Sequence, residues 1–297
     1  MSETIETPKA GWRMKVAAFA LCVSIFAVLW FAVAALGTKW GFWSWKVGLG
    51  QMTMGIGLPI AGFSLLLSLI AQGVALLKFP RKQAFIVALV ATVISGLVAG
   101  RIWFGFIGQA TSLPPIHDIQ TDWSDPVQFS PAIMQAREAQ GETNPVLDSP
   151  VIPEAAKGNW PGMEGRLVSE VQEEAETKGE EGETVYPPMQ ALYFNAAPAD
   201  LADLVLQIVD RRGWALITQP GTASDLGAEL QVEATVTSGW FGFKDDVAIR
   251  IRPVEGATRV DMRSTSRVGL SDLGANSKRV YGFMTELADR GDGRLEP

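Results

Sequence analysis

Residues 16 to 36 run for 21 positions without a charged side chain. A helix of that length, rising about 1.5 Å per residue, crosses the roughly 30 Å hydrocarbon core of a bilayer. Two comparable stretches follow, from Met52 to Leu77 and from Ala84 to Gly108, the latter interrupted only by Arg101. The second carries Gly55, Gly57, Pro59, Gly62 and Gly73, and the third Ser95, Gly96 and Gly100, small residues that let membrane helices approach closely. Residues 1 to 110 are therefore expected to form an all-α membrane module of three transmembrane helices. Arg13 and Lys15 with Ala32-Val33-Ala34 also resemble a signal peptide. The apolar run exceeds the roughly 7 to 15 residues of such a segment and further spans follow, so a retained helix is the expectation. Arg101, near a helix end, is expected to reach towards the headgroups.

The loops predict an orientation. Lys9, Arg13 and Lys15 precede the first span and Lys78, Arg81 and Lys82 follow the second, whereas the first loop holds only Lys39 and Lys46 among Trp40, Trp43 and Trp45. Positive residues stay on the cytoplasmic side, and tryptophans gather at the membrane interface. The N-terminus is thus expected in the cytoplasm. After an odd number of spans, everything after about residue 110 is expected on the far side of the membrane.

Residues 1 to 112 carry 9 Lys/Arg and 2 acids, while residues 113 to 297 carry 16 and 30. An acidic soluble half repels phosphate backbones, which argues against nucleic acid as a partner. A single Cys22 forms no intramolecular disulfide, and with a single His117 it cannot build a His/Cys zinc site. Cys22 lies within an apolar run and reads as a packing residue. No motif calls for a cofactor. Only a hard cation held by carboxylates stays open, at Asp245-Asp246, and the interleaved arginines argue against it.

From residue 111 to 186 the chain is rich in proline, glycine and acids, including seven Glu between Glu170 and Glu183. It is expected to be an irregular linker, its Glu-rich part a solvated tether. Residues 187 to 290 carry sharper signals, and 291 to 297 read as a tail. Met189 to Phe194 is strand-like, and Pro198 opens a helix bearing Leu201, Leu204, Val205, Ile208 and Val209, which ends at Gly213. Trp214–Thr218, Glu229–Thr237, Asp246–Arg252 and Thr258–Ser266 read as strands, the last two joined by a turn at Glu255-Gly256. In that pair Val247, Ile249 and Ile251 oppose Arg250 and Arg252, and Val260 and Met262 oppose Asp261 and Arg263. A final helix is expected from a Ser271 or Asp272 cap. Strand, helix, four strands and helix make an α+β domain, an antiparallel sheet with helices on one face.

The polar residues concentrate between Lys244 and Arg279. Pro114-Pro115-Ile116-His117-Asp118-Ile119 with Thr121-Asp122, the Asp245-Asp246 strand start, and the block from Asp261 to Arg279 resemble a bacterial domain-of-unknown-function family, number 1499. The match spans most of residues 113 to 286, and the three spans suit its membrane-anchored members. The resemblance implies no established activity.

Two readings of the cluster follow from the residues. In one, Arg250, Arg263, Arg267 and Arg279 offer guanidinium forks, with Ser264, Ser266, Ser271 and Asn276 as neutral donors, in a groove that binds an anionic small molecule, a lipid headgroup or an envelope protein partner. The same residues also suit a ladder of cross-strand ion pairs plus a helix cap. In the other, a membrane-tethered hydrolase uses His117 with Asp118, Asp122 or Asp245. Adjacent residues seldom form such a pair and no Gly-x-Ser-x-Gly elbow occurs, which leaves His117 as a polar anchor where the linker meets the domain.

Overall fold

A computed structural model describes residues 11–77, 82–177, 184–219 and 229–295. Lys9, Lys78 and Arg81, part of the orientation argument, lie outside the described residues, as do positions 178–183 of the Glu-rich stretch. The chain divides into two compact units, residues 1–108 with 239–242, and residues 109–238 with 243–297.

The first unit is built on three helices long and apolar enough to cross a membrane: Trp12–Lys39, Lys46–Leu76 and Lys82–Ser112. The first is α1. The second opens as a π-helix, Lys46–Gly57, and continues as α2, Leu58–Leu76. The third comprises α3, Lys82–Ile102, a π-turn at Trp103–Ile107, and α4, Gly108–Ser112. Their packing inverts that of a water-soluble bundle. Ala17, Ala20, Ala71, Ala75, Ala84, Ala88 and Ala91 meet inside, while Phe19, Leu29, Phe63, Leu66 and Leu97 point outward. Small residues at the contacts let the backbones approach closely, and hydrogen bonds between the helices add to the cohesion. Ser24, Ser64 and Ser95, one from each helix, provide it: Ser95 Oγ lies 2.8 Å from Ser24 Oγ and 2.6 Å from Ser64 Oγ. Ser24 also donates to the carbonyl of Ala20. In the π-helix, the carbonyl of Met52 accepts the indole N–H of Trp30 at 2.8 Å. Gly48 packs so tightly on Thr38 that a Cβ would lie 1.8 Å from its hydroxyl. The Arg101 side chain runs forward along its own helix onto Gly105, the direction that carries a charge from an apolar span towards the helix end.

The second unit is a six-stranded antiparallel sheet with helices. Its strands are β1 (Asp118–Gln120), β2 (Leu192–Phe194), β3 (Ala215–Thr218), β4 (Leu230–Thr237), β5 (Lys244–Val254) and β6 (Ala257–Ser266), ordered β1-β6-β5-β4-β3, with β2 pairing the other half of β6. The β5–β6 hairpin turns at Glu255-Gly256, as the sequence predicts, with Gly256 at φ +75°. On one face lie α7 (Pro198–Arg211) and α8 (Ala275–Gly291). Leu201, Val205, Ile208, Val280, Phe283 and Leu287 bury against Val232, Val247, Ile249, Ile251, Val260 and Met262.

The expected irregular linker behaves otherwise. Residues 118–120 form β1, and two α-helices follow, α5 (Pro131–Gln140) and α6 (Val168–Glu176), with a 3-10 turn at Glu154–Gly158 between them. Val127, Phe129 and Ile133 pack on Ala248, whose side chain projects from the face opposite α7 and α8. The sheet is therefore covered on both faces, and the expectation of helices on one face only is corrected. Proline and glycine content predicts irregular backbone, and much of 121–167 is irregular; it does not predict exposure, because side chains on the sheet satisfy that backbone. The Glu-rich start is likewise helical: Val168, Val171 and Ala175 turn one face of α6 into the core. Gln172 donates to the carbonyl of Gln120 at 2.8 Å and accepts its N–H, closing the outer edge of β1.

Candidate functional site

Strand alternation divides the predicted cluster between the two faces of the sheet. Arg250, Arg263 and Arg267 lie with Asp246 and Asp261 under residues 122–148, whereas Ser264, Ser266 and Asp245 face α8, which carries Asn276 and Arg279. The single groove expected from residues 250–279 is thus two separate polar layers. Consecutive residues of a strand face opposite ways, so Arg263 and Ser264 cannot line one site.

The first layer is a buried ion-pair network. Arg263, fully buried, sends Nε and Nη2 to the two oxygens of Asp118 at 3.0 and 2.6 Å. Its remaining donors reach the carbonyls of Val127 and Leu147 at 2.9 and 2.7 Å, and the rings of Trp123 and Phe129 flank it. Asp246, also fully buried, accepts from Arg137 Nη1 at 2.7 Å, from Arg267 Nε and Nη2 at 2.8 and 2.7 Å, and from the Thr235 hydroxyl. Arg137 and Arg267 use further donors on the carbonyls of Asn144 and Ala136. These guanidinium groups already hold internal carboxylates. Asp245 and Asp246 diverge to opposite faces, so they do not form the paired cation site considered from sequence.

The second layer joins β5, β6 and α8. Ser264 donates to Asn276 Oδ1 at 2.7 Å, while Asn276 Nδ2 donates to Ser266 Oγ and the carbonyl of His117, both at 2.9 Å. Arg279 bridges Ser264 at 2.8 Å and Asp245 at 2.6 Å. Ser271 donates to the carbonyl of Pro114. The final helix begins at Ala275, later than the predicted cap, because Leu273 and Gly274 adopt positive φ. Asp272 still caps it from outside, accepting from Gly274 N at 2.8 Å and Asn276 N at 2.7 Å. Burial pushes the Asp272 carboxyl up to about 6, reinforced by Asp245 and opposed by those two N–H groups and Arg279.

The catalytic candidates are not assembled into a dyad. Asp118 is engaged by Arg263 and Asp245 by Arg279, while Asp122 accepts from Ser124 and Arg259. His117 Nδ1 is buried without a hydrogen-bond partner among the described residues, and burial lowers the imidazole below its ordinary value despite the opposing pull of Asp118. The backbone carbonyl of His117 makes the anchoring contacts, to Ser266 N at 2.8 Å and to Asn276.

One part of the network opens to solvent. Arg250, Arg252 and Arg259 gather around Asp122, Asp125 and Asp261. Asp261 is fully buried, but the side chain of Asp125 is 43% exposed and that of Arg252 24%. Asp125 binds Arg250 Nη2 at 3.0 Å and Arg252 Nη2 at 2.6 Å, and Arg250 also donates to its carbonyl oxygen at 2.9 Å. Both Nε–H groups, of Arg250 and Arg252, are buried without an acceptor among the described residues. Burial raises the Asp122 carboxyl, but hydrogen bonds from Ser124 and Arg259 outweigh it and bring it down to about 2. Asp125 is likewise lowered, Arg250 and Arg252 outweighing desolvation.

Sequence reasoning missed Arg137 and Asp125, both placed in the linker. Arg137 follows Ile133 by four residues, and these two are the buried side chains of α5, a spacing that sequence offers for any amphipathic helix. Asp125 carries no comparable signal.

A family model described as a protein of unknown function, DUF1499, matches residues 118–287, more than half of the chain. No curated protein matches it.

Two predictions follow from these layers. Removing one partner of a buried ion pair strands the other, at a cost of about 3–5 kcal/mol, so Asp246→Asn, which strands both Arg137 and Arg267, should markedly lower the thermal unfolding midpoint of the full chain in detergent. An unchanged midpoint would remove the network as a stabilising element. The second concerns pH. A carboxyl raised from 3.8 unfolded to about 6 folded contributes stability that is fully present below the unfolded value and is lost as pH rises through the folded one. The stability difference between wild type and Asp272→Asn should therefore shift against wild type between pH 4 and 6 and be flat above; a pH-independent difference contradicts the assignment.

Proposed function

The chain belongs to the DUF1499 family, and from its own geometry we propose that it is a membrane-anchored binding protein of the bacterial cell envelope. In this reading the three apolar helices sit in the inner membrane with the N-terminus in the cytoplasm. The periplasmic α+β domain then takes up the anionic group of a small molecule, a lipid headgroup or a protein partner. The receiving point is the rim formed by Arg250 and Arg252 rather than the wider Arg/Ser cluster, whose members are spent on one another.

The observation that carries this reading is the position of Asp125. It is a solvent-facing carboxylate lying across two guanidinium groups, each of which keeps a buried Nε–H without an acceptor among the described residues. The three arginines and three aspartates balance in charge while Asp125 is in place. When it swings outward they carry a net positive charge, and an incoming phosphate or carboxylate completes the same charge-assisted bonds. Arg263 and Arg267 on the same face, and Arg279 on the opposite one, support the reading as braces that fix the sheet around this rim.

Binding of inorganic phosphate to the full chain in detergent tests the site. Asp125→Ala should tighten binding, since no internal carboxylate competes. Arg252→Ala should weaken it by about 1.5–3 kcal/mol, the range for a hydrogen bond to a charged group. Two folded variants with wild-type phosphate affinity would refute it. Orientation is tested separately by reporter fusions. A fusion after residue 82 should fluoresce as a cytoplasmic protein and one after residue 297 should be active as periplasmic alkaline phosphatase; the reverse pattern inverts the topology.

A further inference from the structure

The hairpin between β4 and β5 has a tip that the anion rim does not use. Residues 234–244 read Ala-Thr-Val-Thr-Ser-Gly-Trp-Phe-Gly-Phe-Lys, with one lysine and no acid, in a half of the chain where acids outnumber Lys and Arg by 30 to 16. Trp240, at the apex, is 66% exposed. The tip is nonetheless well formed: Ser238 N donates to the carbonyl of Phe243 at 2.8 Å, Phe243 N donates to Ser238 Oγ at 2.9 Å, and Gly242 takes φ +71°. A large aromatic held outward on an ordered turn suits a partner with an apolar interior and a polar edge.

The register shows which end of the sheet this is. β1 begins at Asp118, which pairs with Thr265, and Thr265 pairs in turn with Asp246, two residues past the start of β5. The chain therefore enters the sheet, through β1, at the same end where the β4–β5 hairpin turns. The Glu255-Gly256 turn lies at the opposite end of β5. Five residues separate Ser112, the end of the third apolar helix, from β1, at most about 20 Å of extended chain.

We infer that the Trp240 hairpin tip is a membrane-interface contact, resting at the headgroup level of the bilayer that the apolar helices span, an inference that rests on their membrane reading but not on the anion site. Tryptophan is enriched at that level because its ring is apolar and its N–H polar. An acid-free tip bearing the exposed Lys244 avoids repulsion by anionic headgroups.

The test uses the full chain reconstituted in vesicles of phosphatidylethanolamine and phosphatidylglycerol. With Cys22→Ser as background, single cysteines Trp240→Cys, Glu255→Cys and Leu97→Cys are labelled with an environment-sensitive fluorophore. Leu97, on α3 and 70% exposed, reports the membrane reading itself. The label at 240 should emit at shorter wavelength than that at 255, lose intensity to lipids bearing a headgroup-level nitroxide, and resist aqueous iodide. The label at 255 should show the opposite. If 97 is quenched from within the lipid while 240 responds to iodide, or to neither quencher, the hairpin contact is overturned and the membrane reading stands. If 97 also responds to iodide, both fall.

Discussion

The α+β domain depends on arginine side chains that serve carboxylates and backbone carbonyls together. Residues 121–148 contribute few large apolar groups, and burying their irregular backbone would leave carbonyls without partners. Arg263, Arg267, Arg137 and Arg250 meet that need. Each binds an aspartate and a carbonyl of the covering segment, at Val127 and Leu147, Ala136, Asn144 and Asp125 respectively. Guanidinium suits this role because its five donors are fixed in one plane and it stays charged. A sheet that would otherwise expose one polar face thereby acquires a cover, and the cover acquires a conformation.

The helical unit meets its own backbone problem differently. Its large apolar side chains face outward, while alanines and glycines bring the helices together and three serines link their centres. In the domain, charge is buried because partners surround it; in the helices it is confined to positions such as Arg101, from which it reaches outward. Both follow from one rule, that a polar group taken from water needs a partner or a route back.

The same rule separates bracing residues from those of the proposed site. Arginines enclosed on every side by aspartate and carbonyl oxygens are cross-braces, whatever their density along the chain. The rim at Arg250 and Arg252 differs in that its carboxylate, Asp125, is reached by solvent and two of its donors have no acceptor among the described residues. Replacement of an internal ligand by an external one needs that combination of access and unfilled donors.

Much of the architecture could be read from the chain. The three apolar runs, Pro198 at a helix start, Gly213 at its end and the turn at Glu255-Gly256 are local signals, since helix, turn and strand periodicities are set by neighbours a few residues apart. The alternation of Ile249 with Arg250 even showed that β5 has two unlike faces. What covers the second face depended on residues more than a hundred positions away: Asp118 for Arg263, Arg137 for Asp246, Asp125 for Arg250. No local pattern encodes such pairings, and proline-rich composition pointed towards a linker. The sequence by itself determined which residues could be charged, apolar or turning. Tertiary structure alone decided which charges met, because pairing across a sheet and its covering segment is a matter of distance in space.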